Sequence, residues 1–393
     1  MPAAPWSDPA TVIRHYLDHA STTVLRPEAR DAMAEWADLG VTADPGRVHT
    51  EGRMVRATIE NARDRVAALF GVRPRQMILT SGATEAINSA VWGVLALDRG
   101  APVACAAVEH SAVRDASARL GTIVDIAVDG AGRITGAAVE EAIGRCHSEY
   151  GRRPAMVHCQ SANHEVGTIQ DVDDVIQVCR RHGIPVHVDA VAAAGHVPLD
   201  VEGLGADLTS VSSHKLGGPA GMGALILKRG LRIEPLLVGG EQERGRRAGF
   251  EDVAGVIGFG AAAAALGEPG RIDVESTAAR RHTDRLLDSA TAVDGVLPYG
   301  DMVRRVPHIL CLGVEGVEAE PVLLGLDQAD VAVHSGSSCS SESLEPSPVL
   351  EAMGVDGERS LRLSVGWSTT DGDVEAFVDS FAGVVSRLRS LRS

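Results

Sequence analysis

Asp207-Leu208-Thr209-Ser210-Val211-Ser212-Ser213-His214-Lys215-Leu216-Gly217-Gly218-Pro219 reads as a short apolar strand that runs into small hydroxyl residues, then His-Lys, then a Gly-Gly-Pro turn. Burying an ammonium is costly, so a lysine placed directly after a buried strand asks for a reason. The plain alternative is a strand-end lysine that reaches solvent. Upstream, Ile184-Pro185-Val186-His187-Val188 is a second apolar strand, and it ends in Asp189. Working outward, short apolar runs recur at Met77–Leu79, Val103–Val108, Thr122–Ala127, Ala155–Cys159, Pro185–Asp189, Leu208–Ser212 and Gly223–Lys228. Amphipathic stretches separate several of them, at Thr84–Leu97, Val139–Tyr150 and Val172–His182. Strands alternating with helices predict an α/β fold with a mostly parallel, doubly wound, seven-stranded sheet. Ligands of such sheets bind at the C-terminal ends of the strands. Thr80, Glu109, Gln160, Asp189 and Ser212 all fall at or just after those ends.

Helices are expected before the sheet, at Pro27–Leu39 and Val55–Phe70, and after it, at Val253–Leu266. Gly267-Glu268-Pro269-Gly270 then breaks the pattern. That break predicts a large domain over 15–266, whose first part could pack with the small domain, a small C-terminal α+β domain over 267–393, and an N-terminal arm over 1–14. Within the small domain the pattern predicts strands at His308–Gly313, Val331–His334 and Ser360–Val365. Helices follow near Glu320–Gln328 and from Asp373, with a Ser-rich loop before the last strand.

The 393 residues carry a formal net charge of −16. That balance argues against nonspecific nucleic-acid binding and against docking on anionic membranes. No apolar run has the length of a transmembrane helix, and the first residues lack the basic and apolar segments of a signal peptide. A cytoplasmic protein is the expectation. None of the six cysteines forms a C-x-x-C pair, so no zinc knuckle or other metal site is expected.

Several constellations point to chemistry. Thr80-Ser81-Gly82-Ala83-Thr84-Glu85 ends a strand and opens a helix, a natural anion site, although an ordinary capped helix start reads the same way. His110, just after a strand end, could stack on a flat ring and move protons, or be a loop histidine. Asn163, in Ser161-Ala162-Asn163-His164-Glu165-Val166-Gly167, could donate to a ligand or simply shape a turn. Arg362, in the apolar strand Leu361-Arg362-Leu363, needs an anion, either a substrate carboxylate or an internal partner. Cys339 sits among Ser335-Gly336-Ser337-Ser338 and Ser340-Ser341 with no apolar neighbour. An exposed thiol in a small polar loop is reactive rather than structural. A lysine held out of water can form a Schiff base. Together with a carboxylate for a pyridine nitrogen, Lys215 and Asp189 are what pyridoxal 5'-phosphate requires.

These motifs, in this order, make the chain resemble the cysteine desulfurases, pyridoxal-phosphate enzymes of the class V aminotransferase group. The likeness begins at Leu17-Asp18-His19-Ala20-Ser21-Thr22-Thr23. It continues through Ser81–Asn88, Glu109-His110, Asn163–Gly167, His187–Ala190 and Ser213-His214-Lys215. Gly239–Arg244, Ser335–Ser347 and Leu361–Gly366 complete it. The long cysteine loop with Leu344-Glu345-Pro346-Ser347 resembles the branch serving iron–sulfur assembly and nitrogen fixation. The resemblance implies the fold type I architecture and a homodimer. It implies that Lys215 binds the cofactor aldehyde, Asp189 the pyridine nitrogen, and that His110 stacks on the ring. Ala83, Thr84, Ser212 and His214 would contact the phosphate, and Asn163 the cofactor and, with Arg362, the substrate. L-cysteine would become L-alanine, with Lys215 and His110 moving protons and Cys339 taking the sulfur as a persulfide for an acceptor protein. A C–S or C–Se lyase that does not use Cys339, or a weakly active sulfur-relay scaffold, are the alternatives. Three departures suggest a specialised member. Ala192 stands where relatives place Gln, Phe250 where they place Thr, and Asp44-Pro45-Gly46-Arg47 replaces an Asn-Pro-Ser-Ser-like segment.

Overall fold

The computed structural model describes residues 14–96, 98–335 and 347–391. Its elements are β1 (His15–Tyr16), α1 (Pro27–Asp38), α2 (Thr50–Leu69), β2 (Met77–Thr80), α3 (Ala83–Leu95), β3 (Pro102–Ala106), α4 (Ser111–Leu120), β4 (Thr122–Ile126), α5 (Gly136–Tyr150), β5 (Val157–Gln160), α6 (Val172–His182), β6 (Val186–Asp189), α7 (Val201–Leu204), β7 (Leu208–Ser212) and β8 (Gly223–Leu227). After α8 (Val253–Leu266) and α9 (Arg271–Thr291) come β9 (Val296–Tyr299), β10 (Ile309–Val314), α10 (Ala319–Asp327), β11 (Val331–Ala332), α11 (Pro348–Ala352), β12 (Ser360–Ser364) and α12 (Asp371–Ser390).

The main sheet has seven strands in the order β2-β8-β7-β6-β5-β3-β4. Only β8 runs against its neighbours, pairing antiparallel with both β2 and β7; the remaining pairs are parallel. Both faces are covered, and the alternation of side chains along each strand shows how. In β3, Ala104 and Ala106 join one apolar core with α2, α5, α6 and α8, while Val103 and Cys105 join another with α3 and α4. In β8, Ala224 and Ile226 divide from Leu225 and Leu227 in the same way.

Strands β5, β6 and β7 break this symmetry. Val157, Cys159, Val186 and Val188 face the first core. The intervening positions, His158, Gln160, His187, Asp189, Ser210 and Ser212, place a polar strip on the α3–α4 side, deepening toward the C-terminal ends. The strip is hydrogen-bonded internally. His158 Nδ1 and His187 Nδ1 lie 2.9 Å apart, and Ser117 Oγ and Ser210 Oγ close the row at 3.2 and 2.8 Å. One Nδ1 must donate and the other accept, which a neutral pair satisfies. Burial accordingly pushes His187 down to about 4 and His158 well below its usual value.

A second, three-stranded antiparallel sheet, β12-β10-β9, packs on α9, α10 and α12 around its own apolar core. The N-terminal segment belongs to this body. His15 and Tyr16 pair with β11, Leu17 is in its core, and Ser364 N donates to the Leu17 carbonyl at 2.8 Å. Most expected elements occur within a few residues of their predicted ends. The pattern did not announce α4 or β9. Only Val113, Ala116 and Ser117 of α4 are buried, so its apolar stripe is too thin to register. β9 carries Pro298 and buries only Val296 fully. Among the described residues no single helix is long and apolar enough to cross a membrane.

Candidate active site

A cavity of about 500 Å³ opens at the C-terminal ends of β5, β6 and β7, between the main sheet and the segments carrying His19 and Arg362. Ala83, Thr84, His110, Asp189, Ser212, His214, Lys215 and Arg362 all line it. Residues spread over 280 positions of chain thus converge because each follows a strand end or sits on β12.

One end of the cavity is built for an anion. Gly82, at φ +146, caps α3 without any side-chain acceptor, so the first-turn N–H groups stay available. Thr84 stands in that first turn. Ser212 Oγ is buried with no hydrogen-bond partner among the described residues. Gly223 lets the turn sit against the sheet, since a Cβ there would lie 2.6 Å from the Gly82 carbonyl carbon. Below α3, Arg247 donates to Glu85 at 2.8 and 3.2 Å and anchors the turn from outside. Burial pushes Glu85 up, but these bonds outweigh it and hold the carboxylate below its usual range.

Also on the cavity wall, Lys215 Nζ donates to the carbonyls of Ala20 and of Ser21, the latter at 2.7 Å. His214 Nδ1 lies 3.1 Å from Thr22 Oγ1. Burial first, and the Lys215 charge second, lower His214 to about 4, so it meets ligands as a neutral ring. Asp189, at the end of β6, accepts from Val191 N at 3.0 Å. Behind it Glu109 is fully enclosed. Burial, then the Asp189 charge, raise it well above the carboxylate range, and unlike Asp189 it does not line the cavity. His110 caps α4, and its Nδ1 accepts from Ala112 N at 3.0 Å. In the neutral ring the proton therefore resides on Nε2. Arg362, 2% exposed, donates to the His164 carbonyl at 3.0 Å, to Asp18 at 3.1 Å and to Ser21 Oγ at 2.7 Å, while its Nε has no partner among the described residues.

Asn163 is placed otherwise. It is fully buried and is not among the cavity residues. Its Oδ1 accepts from Glu165 N and Val166 N, both at 2.8 Å, and its Nδ2 donates to the Val108 carbonyl at 3.2 Å. In this geometry the turn engages the carboxamide, and Asn163 stands behind the cavity-lining residues. The neighbouring His164 lines the cavity instead, edge-on to His110 with centroids 4.9 Å apart. Burial lowers its pKa despite the opposing pull of Glu165. His19, His196 and His308 complete a wall of six histidines. His164 was within reach of the sequence, as the residue after Asn163. His19 stands in the Leu17–Thr23 segment that carries part of the resemblance, whereas His196 and His308 stand in segments with no local chemical signature. Ala192 is also on the wall, and Phe250 is exposed. Cys339 lies outside the described residues.

The donor set fits pyridoxal phosphate: an uncapped helix start, a buried hydroxyl with no partner among the described residues, a lysine amine and a carboxylate, all lining one cavity. The family model for aminotransferase class-V matches residues 15–377. The chain belongs to the class-V aminotransferase family. Among this class-V aminotransferase's relatives, the cysteine desulfurase IscS of Dictyoglomus turgidum is 36% identical over 386 residues, covering 96% of this chain and 95% of the relative. The IscS-like cysteine desulfurase of Mycobacterium tuberculosis is 37% identical over 391 residues, with 95% and 97% covered. The crystal structure of a NifS-like protein from Rickettsia africae superposes with a TM-score of 0.85 at 26% identity, covering 95% of this chain and 99% of that one.

Proposed function

We propose that this class-V aminotransferase is a cysteine desulfurase. It binds pyridoxal 5'-phosphate in the cavity, converts L-cysteine to L-alanine and leaves the sulfur as a persulfide on Cys339. The observation that carries the reading is the meeting of Lys215, Asp189, the uncapped start of α3 and Arg362 in one cavity. Ala83, Thr84, Ser212 and His214 would hold the phosphate, Asp189 the pyridine nitrogen and Lys215 the aldehyde. When bound, the cofactor supplies an electron sink for the pair left when the substrate α-proton departs. Lys215 is the base for that proton, freed from the Ala20 and Ser21 carbonyls. Arg362 orients the α-carboxylate through its guanidinium fork. His110, with its proton on Nε2, can pass a proton near the substrate sulfur. The Cys339 thiolate takes that sulfur, so one cysteine and one thiol become one alanine and one persulfide. In this reading the protein works as a homodimer and hands the sulfur to an acceptor protein.

Alanine release from L-cysteine, with and without a reductant, tests the proposal. Wild type should release alanine, faster with reductant. Lys215→Ala should lose at least about a thousandfold, since both the general base and the Schiff-base amine go, and Cys339→Ala should be nearly inactive. Equal alanine from Cys339→Ala would remove the persulfide. Sulfide with pyruvate in place of alanine would make the protein a lyase, and no turnover would favour a relay scaffold.

A further inference from the structure

His196 and His308 line the same cavity and have no part in the mechanism above. His308 is the last residue before β10, 2% exposed, with its carbonyl accepting from Val365 N at 3.0 Å. His196 comes from the loop after β6. The two rings stack with centroids 3.5 Å apart and planes within 12°. His196 Nε2 lies 3.1 Å from the Lys215 carbonyl oxygen. A carbonyl only accepts, so this nitrogen carries the proton and the ring is fixed in one tautomer. Two imidazolium rings at that spacing would repel strongly out of water, so the stack is a neutral one. Burial, reinforced by each neighbour's charge, pushes His308 well below its usual value, and burial brings His196 to about 4.

The stack holds His308 rigidly, yet its Nδ1 is buried with no hydrogen-bond partner among the described residues. Buried polar atoms are nearly always paired, and each exception calls for an explanation. Arg362 lies on β12, the strand beside β10, where it pairs with Cys311 three positions beyond His308. It too carries an unpartnered buried nitrogen, Nε. The cavity therefore holds two cations, Lys215 and Arg362, with a neutral imidazole set between the two bodies that present them.

We infer that His308, held by stacking on His196, is a specificity-determining contact that donates a hydrogen bond to the α-carboxylate of the amino-acid substrate beside Arg362. A neutral donor adds direction and selectivity without a third positive charge. This inference rests on the desulfurase reading and adds to it the residue that selects substrates with a carboxylate.

Calorimetric titration of the holoenzyme with L-alanine and with ethylamine, which lacks the carboxylate, tests it. His308→Leu should weaken L-alanine about tenfold, or about 1.4 kcal/mol, and leave ethylamine within about twofold, the spread of a neutral change. His308→Asn, whose amide can donate from nearly the Nδ1 position, should restore most of the alanine affinity. Should His308→Leu not fold, His196→Ala gives the same readout, because loss of the stack frees the His308 ring and lowers alanine affinity selectively. Equal effects on both ligands, unchanged alanine binding, or no rescue by Asn would overturn the inference. A wild type that makes no alanine from L-cysteine would end the desulfurase reading and this inference together. Turnover by the wild type with unchanged selectivity in the His308 variants would end the inference alone.

Discussion

Gly223→Ala joins the fold to the site most directly. A Cβ at Gly223 would lie 2.6 Å from the Gly82 carbonyl carbon, 2.8 Å from Gly82 Cα and 2.8 Å from the Val211 carbonyl oxygen. All three are backbone atoms of the sheet or of the turn that opens α3, so no side chain can swing aside. Restoring ordinary contact at 3.4 Å requires the turn to move about 0.8 Å from the strand. Overpacking of this kind costs about 1–3 kcal/mol. The displaced groups are the N–H donors and Thr84, and each weakened hydrogen bond costs about 1 kcal/mol. Affinity for pyridoxal phosphate should therefore fall at least about tenfold. Gly144→Ala is the matched control, since a Cβ there meets nothing within 4 Å on the exposed face of α5. It should gain about 0.5–1 kcal/mol. Urea unfolding of the apoprotein and an absorbance titration with the cofactor read both effects. Wild-type stability and wild-type cofactor affinity in Gly223→Ala would refute the close-approach argument.

Two further predictions concern the frame around the site. Glu243, held at φ +50, accepts from Arg63 at 2.7 and 2.6 Å and from Leu79 N at 3.0 Å, with both side chains essentially buried. Arg63→Met or Glu243→Gln should each cost about 3–5 kcal/mol by stranding the partner charge, and the double variant should recover much of it. A denaturation cycle with no coupling between the two positions would contradict this. His19, His187, His196 and His214 are all lowered by burial to about 4. Above about pH 6.5 both folded and unfolded histidines are neutral. As pH falls from there toward 4 only the unfolded chain takes protons, so stability drops through that window, and the fully buried His187 alone accounts for about 3 kcal/mol. Glu109 titrates in the opposite sense, so the diagnostic is the difference between wild type and His187→Asn, which should show a shallower slope from pH 6.5 to 4. Parallel stability curves would count against a neutral His158–His187 pair.

Much of the fold was legible in the chain because it rests on local patterns. The β2–β8 strand runs are short and mostly apolar, and α6 and α8 match their apolar patterns end to end. Where the local signal was thin, as in α4 and β9, the elements went unseen. Much of the candidate site was legible for a related reason: Ala83, Asp189, Ser212, His214 and Lys215 each lie at, or within three residues of, a strand end that can be read. Asn163 and His164 mark the limit. Adjacent residues in a turn point to different sides, and only the turn's hydrogen bonds decide which one meets the cavity.

The sequence by itself determined a mostly parallel sheet and the edge at which polar residues gather, and it singled out the lysine, the carboxylate and the loop thiol as candidates. These depend on period, burial cost and turn chemistry, which are properties of short segments. Tertiary structure alone decided that β8 runs against its neighbours. It alone brought His19, His196 and His308 to one wall with Lys215 and Arg362. Those facts depend on contacts between segments far apart in the chain, which no local pattern encodes.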